Sequence, residues 1–123
     1  MNFRDMAGHI GFSEEEFQEL VELFLESTLS ELDHIKTAAQ VPDFEKMAMS
    51  AHSMRGAAIN LGFTEIHELA KTIESNARAC ELSGAVEAAD EIRDHLERIV
   101  GTLALTGRNG SSDRGESPTG RYE

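Results

Sequence analysis

Asp43-Phe44-Glu45-Lys46-Met47-Ala48-Met49-Ser50-Ala51-His52-Ser53-Met54-Arg55-Gly56-Ala57-Ala58-Ile59-Asn60-Leu61-Gly62 is a helix written with both of its ends. Asp43 follows Pro42 and is a good N-cap, because its carboxylate can accept an early backbone N–H that has no partner inside the helix. Phe44, Met47, Ala51, Met54, Ala58 and Leu61 recur at alternating three- and four-residue steps, so a single apolar stripe runs the length of the segment. Gly62 suits the left-handed position that closes a helix.

The same grammar extends in both directions. Upstream, Ser13-Glu14-Glu15-Glu16 is a capping box, with Phe12 and Phe17 at the spacing of a hydrophobic staple. Phe17, Leu20, Val21, Phe24, Thr28, Leu32 and Ile35 then keep helical period to about Ala39, and Val41-Pro42 breaks it. Downstream, Thr64 is expected to cap a third long helix carrying Ile66, Leu69, Ile73, Ala77 and Cys80, with Ser83-Gly84 closing it. A fourth carries Val86, Ala89, Ile92, Leu96, Ile99 and Leu103. Each helix has one apolar stripe, and the connections are too short for anything but antiparallel neighbours. The expected fold is therefore all-α: an antiparallel up-down-up-down four-helix bundle. Residues 1–11 are expected to add a short extra helix or arm. Residues 107–123, rich in Gly, Ser, Arg and Pro without apolar periodicity, are expected to be a disordered tail on a single domain spanning 1–106.

Composition narrows the functions open to such a domain. The 123 residues suffice for one modest core. The net charge is −12, and in the tail Arg108, Arg114 and Arg121 offset Asp113, Glu116 and Glu123, so the excess negative charge lies on residues 1–106. Nucleic acid and anionic lipid are bound through basic surfaces, so neither is an expected partner. Cys80 is the only cysteine, which rules out an internal disulfide and a cysteine metal cluster. No charged-then-apolar leader and no apolar run of spanning length occurs, so a cytoplasmic protein is expected. Met1 close to the first helix leads to the expectation of a free-standing protein over a piece of a longer one.

His52 stands one residue past the core position Ala51, rotated roughly 100° from the buried stripe. Arg55 and Gly56 lie one turn on, at i+3 and i+4, on the same flank. A glycine inside a helix costs about 0.5–1 kcal/mol relative to alanine, so Gly56 needs a reason. Access for something bulky to the imidazole supplies one, and Arg55 can then neutralise a phosphoryl group attached there. A nucleophilic imidazole also needs an acceptor on its other nitrogen. Glu74 fits, since it flanks core residues Ile73 and Ala77 and stands almost as far beyond Gly62 as His52 stands before it. On spacing alone, however, a solvated surface carboxylate is the commoner case.

His52-Ser53-Met54-Arg55-Gly56-Ala57-Ala58, running on to Leu61-Gly62, resembles the signature of histidine-containing phosphotransfer (HPt) domains. That signature is a histidine, a cation three residues on, a glycine, two small residues and a closing aliphatic-glycine pair. Arg55 stands where Lys is more usual, and Glu74 stands where the family places a Gln or Glu that supports the imidazole. The resemblance covers about residues 12–105. It implies a phosphorelay carrier in which His52 takes a phosphoryl group from a receiver-domain aspartate or a histidine or hybrid kinase and passes it to a receiver aspartate. It implies no cofactor, no metal of its own and no kinase activity, and no Walker-type or kinase glycine loop occurs in the sequence. The domain is expected to act as a monomer, docking its receiver around His52 on the flank of the first two long helices, with Ile59 as an apolar contact.

Two other functions compete. A helical interaction scaffold would need no chemistry at His52. A di-iron carboxylate bundle would use Glu31-Leu32-Asp33-His34 as a Glu-x-x-His pair, but a second such pair is missing. His9, His34, His67 and His95 have no cation and glycine on their own faces and are read as surface residues, with His34 near a helix C-terminus where the dipole would favour it. Cys80, Met47 and Met54 are read as core packing.

Overall fold

The computed structural model describes residues 2–106, which form five α-helices and no strand. They are α1 (Phe3–His9), α2 (Glu14–Gln40), α3 (Phe44–Leu61), α4 (Thr64–Arg78) and α5 (Leu82–Thr106). The tail over 107–123 lies outside the described residues. The chain divides into two compact units, Met1–Glu19 with the segment from Leu96 onward, and Leu20–His95.

In the first unit α1 is the expected extra helix. The Asn2 side chain accepts from the Asp5 N–H at 3.1 Å and so caps it. The capping box forms as read: the Glu16 N–H donates to Ser13 Oγ (3.1 Å) and the Ser13 N–H donates to Glu16 Oε1 (2.9 Å). Of the two staple residues only Phe17 is buried. Phe12 remains 43% exposed, while the buried Phe17 ring meets Phe3 edge-on with centroids 5.5 Å apart.

The second unit is organised by the α3–α4 hairpin. Asp43 Oδ1 accepts from the Lys46 N–H at 3.1 Å and starts α3. Gly62, at φ 86°, ends it: the Gly62 N–H donates to Ile59 O (3.1 Å) and the Phe63 N–H donates to Ala58 O (2.9 Å). Met47, Ala51, Met54 and Ala58 are all buried, as the stripe requires. Thr64 does not cap α4, because the helix begins with Thr64 itself and its hydroxyl donates back to Gly62 O at 3.4 Å. The two-residue turn leaves no room for a separate cap, and Phe63, which precedes the helix, is buried in a stack on Phe24 with ring centroids 5.1 Å apart.

The α4–α5 turn differs from expectation. α4 ends at Arg78, and Cys80 is an exposed turn residue at φ 59°, not a core position. Ser83-Gly84 does not end a helix but lies in the first turn of α5. Gly84 serves close packing instead, since a Cβ there would sit 2.7 Å from Asn76 Nδ2. Ala85 and Ala88 are buried where Val86 and Ala89 were expected, and Val86 is 38% exposed. Leu69 is half-buried, while its neighbour Ala70 is fully buried.

Candidate functional site

Two hydrogen bonds and one ion pair tie α3 to α4. The His67 Nδ1–H donates to the Arg55 carbonyl at 3.1 Å, and His52 Nδ1 lies 3.2 Å from Glu74 Oε2. The later residue on α3 meets the earlier one on α4, so the two helices run antiparallel and His52 and Glu74 stand nearly level. The His52 side chain is 62% exposed and that of Glu74 10%. Glu74 is thus not the solvated surface carboxylate that spacing alone would suggest. It is a buried acceptor beneath an accessible ring.

A buried carboxylate must be compensated. The Arg78 Nη2–H donates to Glu74 Oε2 at 2.9 Å, one turn along the same helix. Arg55 Nη1 lies 3.2 Å from Oε1 as an ion pair that lacks the alignment of a hydrogen bond. Burial pushes the Glu74 pKa up, but the hydrogen bond from Arg78 and the charges of Arg55 and His52 outweigh it, together with the hydrogen bond to His52. The carboxyl is held below its ordinary pKa and is ionised at neutral pH.

An ionised carboxylate only accepts, so its contact with His52 requires the proton on Nδ1. The neutral ring then carries its lone pair on Nε2, the nitrogen away from Glu74. Arg55 Nη2 lies 3.4 Å from Nδ1. With a proton on Nδ1 that approach is a neighbouring charge and not a hydrogen bond.

A depression opens beside the ring, lined by His52, Arg55, Gly56 and Ile59 of α3 and by His67 and Lys71 of α4. None of these residues comes from α2, so the opening lies on the α3–α4 side and not on the flank the sequence suggested. Gly56 is exposed, and a Cβ there would meet nothing within 4 Å. No neighbour within the described residues therefore demands a glycine. Ile59 is 45% exposed, an apolar side chain on the rim two turns beyond His52.

Arg78 was missed by sequence reasoning, although Glu74 and Arg78 have the i,i+4 spacing of a helical ion pair. His67 was read as a surface residue. Its side chain is 20% exposed, held by the carbonyl of Arg55, and only its pairing across the turn could have revealed it. His95 is likewise withdrawn, 22% exposed with Glu65 Oε1 at 3.7 Å. His34 is exposed but stands well before the end of α2 at Gln40, so the helix dipole is not its partner. It lies 3.4 Å from Glu31 instead. Among the described residues, no group of three or more His, Cys, Asp or Glu is arranged to hold a metal ion. Among them, too, no helix is long and apolar enough to cross a membrane.

The model of the Hpt domain family matches residues 19–102, more than half of the chain. Comparison with curated proteins and with solved structures found no match. The matched span contains the whole arrangement of His52, Arg55, Gly56 and Glu74. The chain belongs to the Hpt domain family, whose members carry phosphoryl groups on histidine in two-component phosphorelays.

Proposed function

We propose that His52 is the phosphoryl carrier. It accepts the group at Nε2 from a receiver-domain aspartate or a histidine kinase and passes it to a receiver aspartate. The observation that carries this reading is the ionised, buried Glu74 carboxylate at Nδ1 of an accessible imidazole. It leaves Nε2 as the nucleophile without any proton transfer at the moment of reaction.

The step balances simply. The Nε2 lone pair forms a bond to phosphorus as the bond from phosphorus to the aspartyl oxygen breaks, and the aspartate departs as a carboxylate. The Nδ1 proton stays in place, so the ring becomes cationic while its phosphoryl group is anionic. Glu74 orients the ring and stabilises that cation. Arg55 rests against Glu74 Oε1. It turns to the phosphoryl group when one is bound, while Arg78 continues to neutralise the carboxylate. Gly56 keeps the approach to the ring clear, and Ile59 supplies apolar contact to the docked receiver domain. Any divalent ion belongs to the receiver's acidic pocket.

In this reading the helices form an up-down-up-down bundle that works as a cytoplasmic monomer, with residues 1–106 as the functional domain. The test is transfer from a phosphorylated receiver domain or kinase to the wild type and to His52→Gln. An acid-labile, alkali-stable label on the wild type, absent from the variant, is expected. No label from any of a panel of partners, with the helical fold intact by circular dichroism, would turn the reading to an interaction scaffold.

A further inference from the structure

Arg55 stands on the wrong edge of the ring to meet a phosphoryl group first. Its guanidinium lies 3.2 Å from Glu74 Oε1 and 3.4 Å from His52 Nδ1, beside the nitrogen that holds the proton. A phosphoryl group on Nε2 develops its charge on the opposite edge, over three oxygens. The charge of Arg55 is also already set, with that of Arg78, against one buried carboxylate.

Lys71 is the other fixed cation lining the depression at His52. It follows His67 by four residues and precedes Glu74 by three, so all three share one face of α4. His67 is fastened to the Arg55 carbonyl and Glu74 to the His52 ring. Lys71 therefore stands at a level between Arg55 and His52, within reach of a flexible four-carbon stem. It is exposed, and among the described residues it has no hydrogen-bond or ion-pair partner. The acidic neighbours one turn away on α4 are otherwise placed: Glu68 lies 4.0 Å from His67 Nε2, and Glu74 is held by Arg55, Arg78 and His52. In a chain with 23 acidic and 11 basic residues, a lysine left without a carboxylate beside the reactive ring has the character of a site and not of a solvated surface charge.

We propose that Lys71 is a catalytic residue that binds the transferring phosphoryl group on the Nε2 side of His52. The proposal rests on His52 being the phosphoryl carrier. It takes no part in bond making: the ammonium neutralises the oxygens while phosphorus passes between the aspartyl oxygen and Nε2, and it keeps its protons throughout.

Phosphoramidate, a small donor with no protein surface, separates this role from docking. Lys71→Ala should slow labelling of His52 by phosphoramidate roughly tenfold, the loss of one charge-assisted contact, and Lys71→Arg should recover most of it. Lys36→Ala, remote from the depression, controls for net charge and should label at the wild-type rate. On protein loaded by either donor, the phosphoryl resonance in phosphorus NMR should titrate at higher pH in Lys71→Ala, because a cation that favours the dianion has gone. Thermal melting by circular dichroism should be unchanged. Wild-type labelling rate and titration in Lys71→Ala would overturn the proposal while leaving the carrier role of His52 standing. Slowing with a receiver donor alone would make Lys71 a docking residue and overturn it equally. Failure of the wild type to take label on His52 from either donor would overturn both readings together.

Discussion

Among the described residues, two exposed histidines have a glutamate oxygen close to Nδ1, and the carboxylate makes the difference between them. His34 lies 3.4 Å from Glu31 Oε1, three residues earlier on α2, with side chains 58% and 22% exposed. His52 lies 3.2 Å from Glu74 Oε2, on a different helix, with side chains 62% and 10% exposed. The rings are almost equally accessible. A pair one turn apart on one helix is held only by the rotamers of two side chains, and such pairs are worth about 0.2–0.5 kcal/mol. Glu74 is instead brought to His52 by the α3–α4 hairpin and is contacted by two arginines. On the proposed reading, the carrier histidine is distinguished less by its own exposure than by the burial and charge of the carboxylate behind it.

The strongest way to break the comparison is to exchange the fates of the two rings. His52→Gln should abolish acceptance of label, and His34→Gln should leave the rate of transfer unchanged within about twofold, since surface changes away from a site have small effects. Label persisting in the first variant, or lost in the second, would mean that the wrong pair has been singled out.

Removing the carboxylates comes next in size. Glu74→Ala deletes the acceptor at Nδ1 and leaves Arg55 and Arg78 facing each other without it, so transfer should fall by about tenfold or more, whereas Glu31→Ala should do little. Glu74→Gln keeps an acceptor oxygen but loses the charge, and should fall between the wild type and Glu74→Ala. Nitrogen NMR of the His52 ring provides the check, with the Nδ1–H tautomer dominant in the wild type and lost in Glu74→Ala. The same carboxylate sets a pH dependence. Its pKa is lower in the folded state than the value of about 4.3 for a free glutamate, so the unfolded chain binds the extra proton first. Its contribution to stability is complete above about pH 4.3 and is lost as pH falls through the folded pKa. Denaturant titrations between neutral and acid pH should show a shallower acid loss in Glu74→Gln than in the wild type. Parallel curves would mean that the ion pairs around Glu74 contribute nothing to stability.

Much of this site was legible in the sequence because it is built on one strongly periodic helix with marked ends. Met47, Ala51, Met54 and Ala58 fix which face of α3 is buried, and Gly62 fixes where the hairpin turns. From those two facts His52 is placed on the flank and Glu74 nearly level with it. What was illegible depends on tertiary contact. Nothing local marks Cys80 for a left-handed conformation, which is uncommon outside glycine, so the turn was displaced to Ser83-Gly84. Gly84 is small because Asn76 presses on it, and only the packed helices reveal that. The start of α5 was ambiguous for a related reason: Ala85 with Ala88 and Val86 with Ala89 satisfy helical spacing equally, and close approach favours the smaller pair. The burial of Glu74 likewise follows from the partners Arg55 and Arg78, which make an ion tolerable in a place where spacing alone favours a solvated surface carboxylate.

A smaller effect is expected at the rim of the depression. Ile59 is exposed, so Ile59→Asp should not unfold the helix, but it would set a charge on the apolar surface offered to a receiver. Transfer from a receiver domain should slow by several-fold to about tenfold, the range of an ordinary interface contact, with labelling by phosphoramidate unchanged. Equal slowing with both donors would make Ile59 a support of the ring and not part of the docking surface.

Gly56 gives the smallest expected change and the sharpest division between fold and function. The space around its Cα is open, so alanine costs nothing in packing and gains helix propensity of about 0.5–1 kcal/mol. Gly56→Ala should therefore melt a few degrees higher than the wild type. If the glycine is kept for access, the same methyl should slow transfer from a receiver domain, because it lies one turn from His52 on the face the receiver must approach. The comparison is informative because the two quantities move oppositely. A variant that melts higher and transfers more slowly identifies Gly56 as a residue that gives up stability for approach to the ring. A variant that melts higher and transfers at the wild-type rate leaves the glycine without a role in access, and the clearing beside His52 would have to be credited to Ala57 and Ala58 or to the partner's own shape.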